Sequence, residues 1–450
     1  MFFRFPRQWY NRNKKERWTT VKHLIQPRVQ AIQLSGIRQF FNLVADRPGL
    51  VSLTIGQPDF PTPDHVKAAA QEAIAADFTT YTANAGLLEL RQAACQFVAD
   101  KYGLRYTPDE VIATVGASQA LDIAFRTILE EGTEVLLPAP VYPGYEPLIR
   151  LCGAKPVYID TRPNGFRLSA ELIAPYLTEK TRCLVLPYPS NPTGTALSAE
   201  ELENIASLLK GRPIWIVSDE IYSELVYHGR HHSIAEWLPE QTIVINGLSK
   251  SHSMTGWRIG FVFAPAFAVE QMVKVHQYSV SCTSSISQKA AVEALTAGKN
   301  DAEVMRAAYA ERLEYATVVS PPWGCRLRSR MEPFTCFRQS PPLACLRLIL
   351  PSMSSKTPAS PSFPAAPFLN TVKAMSACRT LIRSMCSKKG LTGSSGISKR
   401  SAADRNGFQK SYRFRPPCPH KKKAAGSSPQ HVLDKQYGFL HKDVQKSLIC

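Results

Sequence analysis

At 450 residues and a formal charge of +18, the chain can hold two or three domains and is basic enough to suggest a nucleic-acid partner. The placement of charge argues against that partner: residues 317–450 carry 23 Lys and Arg against 4 Asp and Glu, residues 1–20 carry 6 against 1, and residues 21–316 keep 25 against 31. No apolar run is long enough to span a bilayer, and the eleven cysteines show neither a disulfide framework nor metal-ligand spacing, which points to a reducing, cytoplasmic setting.

Residues 1–20 are basic and aromatic, without helical or strand period and without the apolar core of a signal peptide. Lys15-Glu16 can be encoded AAGGAG and Val21 can be encoded GTG, so this stretch reads either as a disordered extension or as a start placed too far upstream. Apolar positions at Val29, Ile32, Ile37, Phe40 and Val44 predict an amphipathic helix over 28–46, bent near Ser35-Gly36. A short strand from Val51 then runs into a turn at Gly56, where Pro58 and Pro61 prevent helix. Helices are expected over 63–76 and from about Gly86 to Lys101.

From residue 111 the chain alternates. Strands are expected at 111–115, 134–137, 155–159, 183–187, 214–219, 242–246 and 260–264. Helices are expected at 121–129, 170–177, 198–210, 267–277, 286–297 and from 301. Such alternation predicts an α/β fold with a mainly parallel sheet covered on both faces, whose ligand groups collect at the carboxyl ends of the strands. Tyr142, Asn191, Asp219 and Lys250 each follow a predicted strand, so one pocket can gather them.

Lys250 lies among small and hydroxyl residues in Asn246-Gly-Leu-Ser-Lys250, with Arg258 eight positions on. A lysine in a tight pocket can lose its proton and attack an aldehyde such as that of pyridoxal phosphate, whose phosphate calls for an arginine. The plain alternative is a solvated loop lysine. Asp219 ends a strand where it can pair with a pyridine nitrogen, or serve simply as a helix N-cap. Gly116-Ala-Ser-Gln-Ala120 turns a strand into a helix and makes a phosphate site from free N–H groups, or an ordinary turn.

Together, Tyr188-Pro-Ser-Asn-Pro-Thr-Gly, Ser218-Asp-Glu-Ile-Tyr and Ser249-Lys with Gly256-Trp-Arg-Ile-Gly resemble, in order and spacing, the class I/II, fold type I aminotransferases that use pyridoxal 5′-phosphate. The resemblance covers about residues 22–316. It implies a three-layer seven-stranded sheet, a homodimer, and catalysis by Lys250, Asp219 and Tyr222. Lys250 would bind the cofactor and move the substrate proton, and Asp219 would hold the ring nitrogen protonated. Tyr222 and Asn191 would bond the cofactor's phenolic oxygen, and Tyr142 would stack on its ring. Ala117, Ser118 and Arg258 would hold the phosphate, Tyr81 would reach the phosphate of the neighbouring subunit, and Gly56 would meet the substrate carboxylate beside Asn191. Position 247 is glycine where some relatives carry a phosphate-binding serine. His252 is expected to be structural.

The domain expectation is an extension at 1–20, part of a small domain at 21–50, a large cofactor domain at 51–300, an interdomain helix at 301–316, and an aberrant basic tail at 317–450. The tail breaks the family pattern with proline pairs, Lys421-Lys-Lys423 and a single glutamate. Back-translated and shifted by one frame, Met331–Ser340 yields Gly-Ala-Phe-Tyr-Met-Phe-Pro-Ser, the strand expected there, and the stretches 317–332 and 364–380 also yield family-like segments. A frame change near residues 315–317 accounts for all three and removes the arginine that should grip the substrate carboxylate. A tail that binds nucleic acid is the alternative, disfavoured because repeats and regular aromatic interleaving are absent from it.

The expected reaction moves an amino group from an L-amino acid, of the N-acetyl-diaminopimelate or aromatic/dicarboxylic type, to a 2-oxo acid such as 2-oxoglutarate, within lysine biosynthesis and with impaired turnover. Competing expectations are a C–S β-lyase of the same fold and an inactive cofactor-binding protein with a basic tail.

Overall fold

The computed structural model describes residues 21–34 and 56–319. The strand expected at 51–55 and the tail beyond 319 lie outside the described residues.

Seven strands form one sheet: β1 (Val111–Thr114), β2 (Glu134–Ala139), β3 (Lys155–Asp160), β4 (Thr181–Leu186), β5 (Trp215–Asp219), β6 (Thr242–Gly247) and β7 (Gly260–Phe263). Their order is β1-β7-β6-β5-β4-β2-β3. All neighbours are parallel except β7, which runs antiparallel to both β1 and β6. β1, β6 and β7 are buried along their whole length, as continuous apolar runs should be when helices cover both faces.

The helices are α1 (Pro27–Ala31), α2 (Asp64–Ala75), α3 (Leu88–Tyr102), α4 (Gly116–Ile128), α5 (Tyr145–Leu151), α6 (Ala170–Ile173), α7 (Ala199–Leu209), α8 (Leu248–Ser251), α9 (Ala266–Val280), α10 (Ser285–Leu295) and α11 (Ala302–Val319). One face of the sheet packs Val185, Val217 and Ile245 against α4, α5 and α9 through Phe125, Tyr145 and Met272. On the other face Val244 and Phe261 meet α2, α3 and α10, while Leu184 and Ile216 meet α7. At roughly 2 kcal/mol for each large apolar side chain taken out of water, these layers drive the fold.

Local chemistry sets the helix ends. Ser198 and Glu201 form a reciprocal capping box at the start of α7. Gly103 closes α3 in the left-handed region, at φ 76°.

Two expectations are corrected. The helix predicted over 28–46 stops at Ala31, because Ile32 is extended at ψ 130°; residues 35–46 lie outside the described residues. The predicted turn 116–120 is itself the first turn of α4, because Gly116 at φ 73° bends the chain out of β1 directly into the helix. The last helix, α11, runs to Val319.

Candidate active site

β5 delivers Asp219 to the carboxyl edge of the sheet, buried, with Tyr145 above it at the start of α5. The Tyr145 hydroxyl donates to Asp219 Oδ2 at 2.6 Å, and the Ile221 N–H donates to Oδ1 at 3.3 Å. Burial pushes the Asp219 carboxyl up to about 6, against the pull of those two donors; Glu220 adds to the rise and the charge of Lys250 opposes it. The same burial, with Asp219 next to it, drives the Tyr145 phenol well above its ordinary value, so Tyr145 is a committed donor.

β6 delivers Lys250 on the short helix α8. Its Nζ donates to the Gly56 carbonyl at 2.5 Å and lies 5.6 Å from the centre of the Tyr222 ring. The Gly56 carbonyl thus holds Lys250, while its N–H is the group able to donate to a carboxylate.

A third group forms where β7 meets β1. Arg258 holds a left-handed backbone at φ 55° and aims its guanidinium across the start of α4. Nη1 donates to the Thr255 carbonyl at 2.9 Å and Nη2 to the Val115 carbonyl at 3.5 Å. A Cβ on Gly116 would stand 2.5 Å from Nη2, and one on Gly260 would stand 2.5 Å from Ala117 N, so glycine at both positions admits this approach. At the N-terminus of α4, Gln119 Oε1 accepts from the Val115 N–H at 2.6 Å, and the N-cap residue, Val115, has no side-chain acceptor for the N–H groups of the first turn. The N–H groups of its first turn, which includes Ala117 and Ser118, together with the guanidinium make a cradle for an anion.

The remaining predicted residues sort by position. Tyr222 is buried directly after β5, and Asn191 is half-buried in the loop after β4. Tyr142 sits edge-on to Tyr145, ring centres 5.4 Å apart. Tyr81 stands apart, 85 % exposed. His252 is buried, its Nε2–H donating to the Gly298 carbonyl at 2.9 Å and its Nδ1 facing Ser251 Oγ at 2.8 Å, which is a packing role. Tyr145 was not among the predicted site residues. The available signal was its place three residues after Tyr142, together with the need of any buried phenol for a partner.

An amine, a buried carboxylate and an anion cradle at the carboxyl edge of one mainly parallel sheet match one family in sequence as well. The family model for aminotransferase class I and II matches residues 48–318. The chain belongs to that family. A Bacillus subtilis protein named probable N-acetyl-LL-diaminopimelate aminotransferase is 61 % identical over 296 residues, 66 % of this chain and 75 % of that protein. Aromatic-amino-acid aminotransferase 2 of Thermococcus litoralis is 40 % identical over 276 residues, 60 % of this chain and 71 % of that one. Among solved structures, Thermus thermophilus aspartate aminotransferase with maleate superposes with TM-score 0.66 at 37 % identity, covering 70 % of this chain and 83 % of that one.

The cofactor of this family is pyridoxal 5′-phosphate, and the aminotransferase's side chains fit its three handles: an aldehyde for Lys250, a basic ring nitrogen for Asp219, and a phosphate for the α4 cradle. The helix start under a guanidinium is the observation that decides the fit: Gln119 takes the Val115 N–H, and the N-cap valine offers no acceptor to the N–H groups of the first turn, which face the same space as the guanidinium.

Proposed function

We propose that this aminotransferase transfers the amino group of an L-amino acid to a 2-oxo acid such as 2-oxoglutarate, with N-acetyl-diaminopimelate as the donor class and aromatic or dicarboxylic amino acids next. The observation that carries the reading is the convergence of Lys250, Asp219 and the Arg258 cradle at one sheet edge. The name of the 61 % identical relative supports the donor class. When bound, pyridoxal phosphate supplies an aldehyde for amino groups and a ring that withdraws electrons from the substrate α-carbon.

In this reading the protein's side chains bind and orient the cofactor and move protons. Lys250 Nζ anchors the cofactor and then carries the proton of the substrate α-carbon. Asp219, kept anionic by the Tyr145 hydroxyl, holds a proton on the ring nitrogen. Tyr222 and Asn191 bond the phenolic oxygen, Tyr142 covers the ring, and Ala117, Ser118 and Arg258 orient the phosphate. Gly56 and Asn191 face the substrate.

A homodimer is part of the reading. Tyr81 is 85 % and Tyr278 88 % exposed, and their segments are joined by an Asn84 to Ser281 carbonyl hydrogen bond of 2.8 Å, so a second copy would cover both and receive Tyr81 at its phosphate. Free thiols at Cys95, Cys152, Cys183 and Cys282 support a reducing, cytoplasmic setting.

The proposed domain plan keeps a large cofactor domain at 51–300 with the interdomain helix after it. The family match ends at residue 318, close to the start of the basic tail at 317, and this supports a replaced C-terminal part and weak turnover. Purified full-length chain is expected to gain a visible absorbance band with pyridoxal phosphate yet to form glutamate slowly from any donor and 2-oxoglutarate. Turnover at ordinary enzyme rates, about 10 per second, would contradict the impairment. Pyruvate release without a 2-oxo acid would replace transfer by elimination.

A further inference from the structure

Behind the site, on the opposite face of the sheet, lies a buried polar cluster that none of the roles above uses. Side chains alternate along β5, so Asp219 faces α5 while Ser218 and Glu220 face the other way. Glu220 has 0 % exposure. Its N–H donates to the Ile245 carbonyl at 2.8 Å and extends the β5–β6 ladder by one bond. Its Oε1 accepts from Ser218 Oγ at 2.7 Å and Ser233 Oγ at 2.6 Å, and its Oε2 lies 2.8 Å from His231 Nε2.

A second carboxylate closes the cluster. Glu224 Oε1 accepts from the Tyr102 hydroxyl at 2.6 Å, and Lys101 Nζ lies 3.4 Å from its Oε2. The Tyr102 ring stands edge-on to the His231 ring at 5.2 Å and ties the two halves together. The segment 219–225 therefore shows Asp219 and Tyr222 to the site and roots itself behind the sheet through Glu220 and Glu224. Packing alone does not call for this, since an apolar side chain at position 220 would fill the space without burying a charge. Buried carboxylates with a full set of donors fix one geometry.

We propose that Glu220 is a positioning residue for Asp219 and Tyr222: gripped by Ser218, His231 and Ser233, its carboxylate locks the turn after β5 and strengthens the attraction of Asp219 for the protonated ring nitrogen of the cofactor. The inference rests on the reading that Asp219 faces that nitrogen. The groups acting on Asp219 are then Tyr145 and the Ile221 N–H by hydrogen bond, Lys250 from the site side, and Glu220 from behind.

E220Q keeps the shape and removes the charge. In the cofactor-free full-length chain, carboxyl ¹³C NMR, with D219N to assign the signal, is expected to give Asp219 a lower titration midpoint in E220Q than in the unmodified chain. In the cofactor-loaded chain, E220Q is expected to lose about half or more of the visible circular dichroism of the bound cofactor, because a looser turn no longer fixes its tilt. A lower Tm with the Asp219 midpoint and the visible band both unchanged would make Glu220 a packing residue and overturn the proposal. If E220Q fails to fold, S233A removes one donor and keeps the charge; it is expected to weaken the visible band, and an unchanged band overturns the proposal. Should the unmodified chain take up no cofactor, that failure belongs to the proposed function, and the Asp219 midpoint decides alone: lower in E220Q supports the proposal, unchanged overturns it.

Discussion

The Tyr145 hydroxyl is bound to Asp219 Oδ2 at 2.6 Å, and both groups are buried beneath the carboxyl edge of the sheet. Burial favours the neutral acid, and this hydrogen bond is the strongest counterweight. Y145F removes it without changing shape. Asp219 should then titrate above 6, and any amino transfer should fall by about tenfold, the effect of about 1.4 kcal/mol from one lost hydrogen bond to a charged group. The pH profile of the cofactor's visible band checks this, with its acid limb expected to move to higher pH.

Asp219 also makes the cofactor-free fold sensitive to pH. Its folded value, about 6, lies above its ordinary value of 3.8. The folded state therefore holds its proton more tightly than the unfolded chain, and stability drains away as pH rises through that window. D219N escapes the loss. Its Tm should match that of the unmodified chain near pH 4 and exceed it at pH 8, by an amount equivalent to about 2–3 kcal/mol. Equal Tm values at pH 8 would contradict the account.

Arg258 leans on the first turn of α4, where its guanidinium and the helix N–H groups point at the same space. R258A should weaken pyridoxal phosphate binding by about 10- to 100-fold, the loss of one charge-assisted contact. R258K should recover part of this, since a lysine keeps the charge but not the planar fork. Equilibrium dialysis of the three chains measures the difference.

Away from the site, His65 bridges Glu293 at 2.9 Å and Asp301 at 2.8 Å, tying α2 to α10 and the start of α11. Although burial works against the charged ring, these two carboxylates raise its titration above the ordinary 6.5. The clamp is thus fully present in acid and lost as pH rises through the raised value. H65N should lower Tm more at pH 6 than at pH 9, and an equal loss at both would remove the charge from the explanation.

Much of this was legible from residue order. The runs Val111–Thr114, Trp215–Asp219 and Thr242–Gly247 are apolar because both faces are covered, so the strands and their site-bearing ends stand out. The residues of the site that escaped are those whose role depends on the opposite surface. Tyr145 matters because α5 crosses above β5, and nothing local to 142–151 encodes that crossing. Nothing beside Asp219 in the sequence marks Glu220 as buried, yet three partners from 218 and 231–233 enclose it. The antiparallel course of β7 is likewise invisible in its apolar pattern, which carries no direction. Helix starts at Gly116 and the stop at Ala31 turned on single backbone angles rather than on periodicity.

Lys250, with its Nζ at the Gly56 carbonyl, is the amine on which the functional reading turns. The most direct measurement is borohydride reduction of the full-length chain after incubation with pyridoxal phosphate, followed by peptide mapping. One stable pyridoxyl label is expected on Lys250, absent in K250A. Label spread over other lysines at equal yield, or none on the peptide that contains Lys250, would contradict it.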